Sequence, residues 1–143
     1  MIRGRFGNTS EAPFLEARVF FPRLNIRGLV SFLVDTGADG TVFMPMDSRK
    51  FGINFSTLRN PRNPEGIGGI ARAFREMAVL SFSDNRYVYS YHVPVHIMVP
   101  TAHNLRFTSL IGRDILRCGN VVLDIQNKKM TLTPRTWSLR QKI

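Results

Sequence analysis

The chain has 143 residues, 43% of them hydrophobic, and this length and composition predict one globular domain over residues 1–143. No apolar run reaches the ~20 residues of a membrane span, and the basic N-terminus lacks the apolar core of a signal peptide, so we expect a cytoplasmic protein without a membrane span. The single cysteine, Cys118, excludes an internal disulfide.

In chain order, alternating apolar residues and turn residues predict mostly short strands. We expect strands over residues 14–21, 28–34 and 40–44, a helical turn over 47–52, a loop over 54–65, strands over 72–82 and 87–99, a strand turning into a short helix over 110–116, and a hairpin over 121–133. Many short strands at this spacing predict a β-sandwich or barrel. We expect the core of the domain over about residues 14–133 and a basic tail over residues 134–143.

The formal net charge is +10, with a local excess of basic residues in segments 49–75 and 128–142. Such a surface could contact nucleic acid or anionic lipid weakly and without specificity. The basic residues are not interleaved with aromatic residues in a recognisable binding motif, so a solvated basic face is the favoured interpretation.

The most informative segment places a carboxylate at the end of an apolar strand. Residues 29–34 are nearly all apolar and suit a strand that is buried on both faces, and Asp35-Thr36-Gly37-Ala38-Asp39 follows directly. An Asp in a glycine-containing turn is common by itself, because it caps the turn with its side chain. A charged group leaving a buried strand is nevertheless costly unless it is paired, hydrogen-bonded or functional.

Two downstream segments strengthen the functional interpretation. Gly66-Ile67-Gly68-Gly69-Ile70 follows a proline-containing loop and predicts a hairpin tip whose backbone can approach a ligand closely. Leu110-Ile111-Gly112-Arg113-Asp114 ends a second apolar strand in a glycine and a charged pair. The guanidinium of Arg113 is well suited to hold a carboxylate in a bidentate bond.

Taken in this order, the three segments resemble the retropepsin-type aspartic proteases, the single-lobed relatives of pepsin. The resemblance implies an all-β fold, a closed acid-protease barrel with one or two short helices, and an active site at the two-fold axis of a homodimer. It also implies an endopeptidase that acts on peptide or protein substrates and needs no cofactor or metal.

The resemblance assigns a role to each matching residue. Asp35 would be catalytic, and Thr36 would bond across the dimer to lock the two active-site loops. Asp39 would bond substrate backbone and pair with Arg113, while Gly112 would let its strand pass close beneath the loop. The remaining implied positions are Gly37 and Ala38 beside the substrate, the flap residues Gly66, Ile67, Gly68, Gly69 and Ile70, and Asp114 as structural support.

This chemistry needs two carboxylates that share one proton, one to activate water and one to polarise the scissile carbonyl. The chain contains the Asp-Thr-Gly signature once, and no other aspartate lies in such a motif. A symmetric dimer supplies Asp35 twice, with the two-fold axis between the copies.

Three alternatives compete with this interpretation. His92 and His96 lie four apart in a predicted strand, about 13 Å along it, which is too far for one zinc ion. Cys118 lacks a nearby His–Asp pattern and suits packing better than nucleophilic chemistry. The strongest alternative is a catalytically weak or inactive dimer of the same fold that serves as a peptide- or nucleic-acid-binding module.

Overall fold

The computed structural model describes residues 1–66 and 69–143, and for residues 65–70 it describes no side chains. The strands are β1 (Ile2–Arg3), β2 (Arg5–Phe6), β3 (Pro13–Phe21), β4 (Ile26–Val34), β5 (Val42–Phe43), β6 (Pro61–Arg62), β7 (Glu65–Gly66), β8 (Gly69–Ile70), β9 (Ala73–Ser83), β10 (Tyr87–Met98), β11 (Leu110–Ile111), β12 (Gly119–Asp124), β13 (Lys129–Pro134) and β14 (Leu139–Lys142). The helices are α1 (Pro45–Lys50) and α2 (Arg113–Leu116), with a 3-10 turn at Phe55–Thr57. None of the helices among the described residues is long and apolar enough to cross a membrane.

Six strands close into a barrel in the order β10-β5-β11-β4-β3-β9, and the long pairing of β9 with β10 completes the ring. Strands β2, β6 and β14 extend the same sheet, while β1, β13 and β12 form a separate three-stranded sheet. The predicted closed β-barrel with one or two short helices is therefore confirmed.

The β3–β4 hairpin shows why these residues form a barrel wall. On β3 every second side chain from Leu15 to Phe21 is buried, and on β4 Val30, Phe32 and Val34 are buried in the same alternation. This period of two places one face of each strand in the core. The turn between them closes at Asn25, whose φ of 52° is in the left-handed region that asparagine tolerates.

The prediction that β4 is buried on both faces is wrong. Leu29 is 46% exposed, and Ser31 and Leu33 are only partly buried. A closed barrel covers only the inner face of each strand, so the alternate side chains of β4 lie outside the core.

Two further differences concern short polar strands. The predicted loop over residues 54–65 contains the 3-10 turn, and β6 within it pairs with β9. Within the predicted tail, β14 pairs with β10, and the ring of Trp137 lies 5.5 Å from that of Tyr89. Every residue of β14 is exposed. Because neither face of the strand is buried, its sequence lacks the alternation of apolar and polar residues that predicts a strand.

Candidate active site

Asp35 lies at the end of β4, where the chain leaves the barrel wall. Its backbone N–H donates to the Ile111 carbonyl at 3.0 Å, which ties this residue to strand β11. Its Oδ1 accepts a hydrogen bond from the Gly37 N–H at 2.9 Å, and its carbonyl accepts one from the Ala38 N–H at 3.3 Å. The turn therefore fixes both the backbone and the carboxylate of a partly exposed aspartate.

Strand β11 brings the segment Leu110–Asp114 next to this turn, because Leu110 and Ile111 pair in parallel with Leu33 and Val34. Gly112 then passes against residues 35–40, which we call the active-site loop after the expected role of Asp35. A Cβ at this position would lie 2.6 Å from the Gly40 carbonyl oxygen and 2.8 Å from that of Ala38. These contacts are with backbone atoms, so only glycine fits here without a shift of the loop.

Arg113 contacts the loop through three groups. Its backbone N–H donates to the Ala38 carbonyl at 2.9 Å, and its Nη1 donates to the Thr36 carbonyl at 2.6 Å. Its Nη2 forms an ion pair with Asp39 Oδ1. The side chains of Arg113 and Asp39 are 49% and 97% exposed, so the pair orients the loop more than it stabilises the fold.

Asp114 supports the far end of the loop. Its Oδ2 accepts from the Thr41 N–H at 3.0 Å, and its Oδ1 accepts from the Thr41 hydroxyl and the Ile115 N–H, both at 2.9 Å. Thr41 is 1% exposed, so these bonds are shielded from water. Asp114 was identified in the sequence analysis, but Thr41 was not. The feature that could have indicated Thr41 is a residue with a hydroxyl group directly after the loop.

A second buried polar contact was also missed. The Ser109 hydroxyl donates to Asp47 Oδ2 at 2.6 Å and accepts from the Met44 N–H at 2.8 Å. Ser109 is fully buried and lies just before β11, while Asp47 lies on α1. This contact links the helix to the strand that supports the active-site turn.

The predicted flap falls partly outside the described residues. Strands β7 and β8 pair with Glu65 opposite Ile70 and Gly66 opposite Gly69, and the Ala71 N–H donates to the Pro64 carbonyl at 3.0 Å beside them. Ile67 and Gly68, the predicted tip, lie outside the described residues. The structure thus brings segments 35–39 and 112–114 together and shows the paired strands of the hairpin.

The residues considered for a metal site and for a cysteine nucleophile lie in different elements. His92 is exposed on β10, and Cys118 is partly buried with its Sγ 3.5 Å from the Asp114 carbonyl oxygen. In segments 1–66 and 69–143, no group of three His, Cys, Asp or Glu residues could hold a metal ion.

The family model for the retroviral aspartyl protease matches residues 10–124. The chain belongs to this family. The matched range includes the barrel strands β3 to β11 and both the Asp-Thr-Gly and the Gly-Arg-Asp segments.

Solved structures show the same fold at low sequence identity. A retropepsin-like aspartic protease from Rickettsia conorii is 18% identical with a TM-score of 0.58, covering 99% of this chain and 92% of that one. The EIAV protease, in complex with the inhibitor HBY-793, is 18% identical with a TM-score of 0.52, covering 78% of this chain and 90% of that one. No curated protein matches the chain.

Proposed function

We propose that two copies of the chain form an aspartic endopeptidase with one Asp35 from each copy at the two-fold axis. The observation that carries the proposal is the position of Asp35. It is a partly exposed carboxylate held at a strand end by the Gly37 N–H, and it is present once in a chain of the retroviral aspartyl protease family. One carboxylate cannot act as base and acid in the same step, so the site is incomplete in a single copy.

In the proposed mechanism, the two Asp35 carboxyl groups share one proton because both cannot be ionised at close range. The ionised group removes a proton from water, and the protonated group donates to the oxygen of the scissile carbonyl. Proton transfer of this kind contributes typically ~10²–10⁴ in rate. Positioning of an extended peptide and exclusion of water by the flap would supply the rest.

The neighbouring residues take supporting roles in this proposal. The Thr36 hydroxyl bonds across the dimer, Gly37 and Ala38 line the substrate, and Asp39 accepts a bond from the substrate backbone. The flap strands at residues 65–66 and 69–70 hold the tip over the peptide. The apolar residues of the predicted tip favour substrates with apolar side chains around the scissile bond.

The deciding experiment compares the wild-type protein with Asp35→Asn. Concentrated protein is incubated with a denatured protein mixture from pH 3 to 7, and the cut sites are read by mass spectrometry. We expect cleavage that favours acid pH and falls at least about 10³-fold in the variant, because an amide cannot act as the general base. Asp124→Asn, the same change in the β12–β13 hairpin, is the matched control and should cleave normally.

Equal cleavage by Asp35→Asn and wild type would rule out the mechanism. No cleavage by either protein, with an extended peptide still bound, would favour the alternative of a non-catalytic binding module. The dimer is tested separately by sedimentation under the cleavage conditions. Two copies double the formal charge of +10 to +20, so added salt should strengthen association by screening the repulsion.

A further inference from the structure

A groove of about 670 Å³ lies along β6 and β9, the strands that precede and follow the flap hairpin in the chain. Its charged lining consists of Arg23, Arg59, Arg62, Arg75 and Glu76. We call it the basic groove. No role in the proposed reaction uses any of these residues.

Only one of the four arginines is neutralised by the groove itself. Arg23 Nε lies 3.0 Å from Glu76 Oε1 and 3.2 Å from Oε2, and Glu76 is only 6% exposed. Arg59, Arg62 and Arg75 are exposed, and none of them is paired with a carboxylate whose side chain the structure describes. Three arginines therefore line one groove with no carboxylate partner among the side chains that the structure describes.

The field of these charges reaches the neighbouring strand. His96 on β10 lies opposite Arg75 on β9. Burial lowers the pKa of His96 below its ordinary value, the charges of Arg75 and Arg62 lower it further, and Asp114 opposes them. The backbone N–H of His96 donates to the Thr41 carbonyl at 3.2 Å. His96 therefore lies between the basic groove and the end of the active-site loop.

We propose that the basic groove binds an acidic segment of the protein substrate, outside the residues around the scissile bond. This inference rests on the proposed function, which supplies a peptide as the molecule that lies near the flap. Guanidinium groups bind carboxylates in bidentate geometry, and three of them suit several acidic side chains in sequence. Met77, 50% exposed at the edge of the groove, offers apolar surface to the stems of these side chains.

The lining favours a peptide over single-stranded nucleic acid. Proteins that bind single strands combine positive charge with aromatic side chains on which the bases stack. The described lining of the basic groove contains no aromatic residue. A peptide with several acidic side chains matches the three exposed arginines of the lining without requiring a stacking surface.

The test measures binding with Asp35→Asn protein, so that its result does not depend on cleavage. A fluorescent twelve-residue peptide with four glutamates is titrated by anisotropy, beside the same peptide with glutamines. We expect the glutamate peptide to bind at least ~10-fold more tightly and to weaken with salt. Adding Arg62→Gln and Arg75→Gln should remove this preference, whereas Arg106→Gln with Arg135→Gln removes two exposed charges elsewhere and should keep it.

Site-specific binding is read from the His96 imidazole by NMR. The glutamate peptide should raise the pKa of His96, because its carboxylates offset the repulsion from Arg62 and Arg75. The Arg62→Gln/Arg75→Gln protein should show the raised pKa without peptide. The groups that face His96 from the neighbouring elements are Arg75 on β9, Arg62 on β6 and Asp114 on α2, and Asp114 is unchanged in both proteins.

Three outcomes would overturn the proposal. These are no preference for the glutamate peptide, a preference that survives loss of Arg62 and Arg75, and tighter binding of a twelve-nucleotide single-stranded DNA through the same two arginines. A failure of the proposed function has a different signature, since wild-type protein would then cleave neither peptide while the binding results stand. If both proposals hold, a substrate extended by four glutamates should lose its kcat/KM advantage in the Arg62→Gln/Arg75→Gln enzyme.

Discussion

The active-site loop and the basic groove each contain an arginine–carboxylate pair, but the two pairs lie in opposite environments. Glu76 is 6% exposed and contacts Arg23 through both carboxylate oxygens, and Arg23 also donates to the Thr57 carbonyl at 3.0 Å. Asp39 is 97% exposed where it meets Arg113. Burial decides how much an ion pair contributes, because solvent screens the exposed one and removal of a partner from the buried one leaves polar groups unpaired.

If the exposed pair contributes little, other contacts must hold the active-site loop. The close approach of Gly112 to the loop backbone and the shielded bonds from Asp114 to Thr41 are the candidates. The following predictions test this division between the two regions, from the largest expected effect on stability to the smallest.

Gly112→Ala should cause the largest loss of stability, about 3 kcal/mol in the free energy of unfolding. The added Cβ would lie 2.6 Å from the Gly40 carbonyl oxygen, and a backbone atom cannot rotate away as a side chain can. The matched control is Gly40→Ala, whose Cβ would meet only Asp114 Oδ2 at 3.9 Å. Urea denaturation measures both, and equal stability of the two variants would contradict the close-packing argument.

Glu76→Gln should cost about 2 kcal/mol, because the neutral amide loses charged hydrogen bonds to Arg23 in a shielded place. Glu16→Gln makes the same change at an exposed position on β3 and should have little effect. Denaturation midpoints of the two variants give the difference. A loss as small as that of the control would mean that burial does not separate the two pairs.

The proximity of segments 35–39 and 112–114 could be predicted from the sequence because their residues form short motifs in a typical order. Gly112 was expected to pass beneath the loop, and a Cβ there would meet backbone atoms at 2.6 Å. Thr41 could not be recognised in the same way. Its partner, Asp114, is 73 residues away in the chain, and the pairing of β11 with β5, with Leu110 opposite Val42, brings the two together.

The basic groove was missed for a different reason. Arginines 59, 62 and 75 looked like part of a general positive charge, and β6 was expected to be loop, so nothing in the sequence gathered them onto one surface. The burial of Glu76, in contrast, could have been predicted. Glu76 shares the inner face of β9 with Ala78, Leu80 and Phe82 at a spacing of two, and an acid on such a face requires a cationic partner.

Asp39→Asn should have the smallest effect on stability, with Tm within about 2 °C of wild type at equal protein concentration. The exposed carboxylate loses a screened ion pair, while Arg113 keeps its bonds to the Thr36 and Ala38 carbonyls. Under the proposed function, KM should rise roughly 10-fold, because an interaction with the substrate backbone worth about 1.4 kcal/mol is lost. Asp124→Asn, measured in parallel, should leave KM unchanged. A fall in Tm comparable to that of Glu76→Gln would show that the exposed pair does hold the loop, and the contrast between the two regions would then not rest on burial.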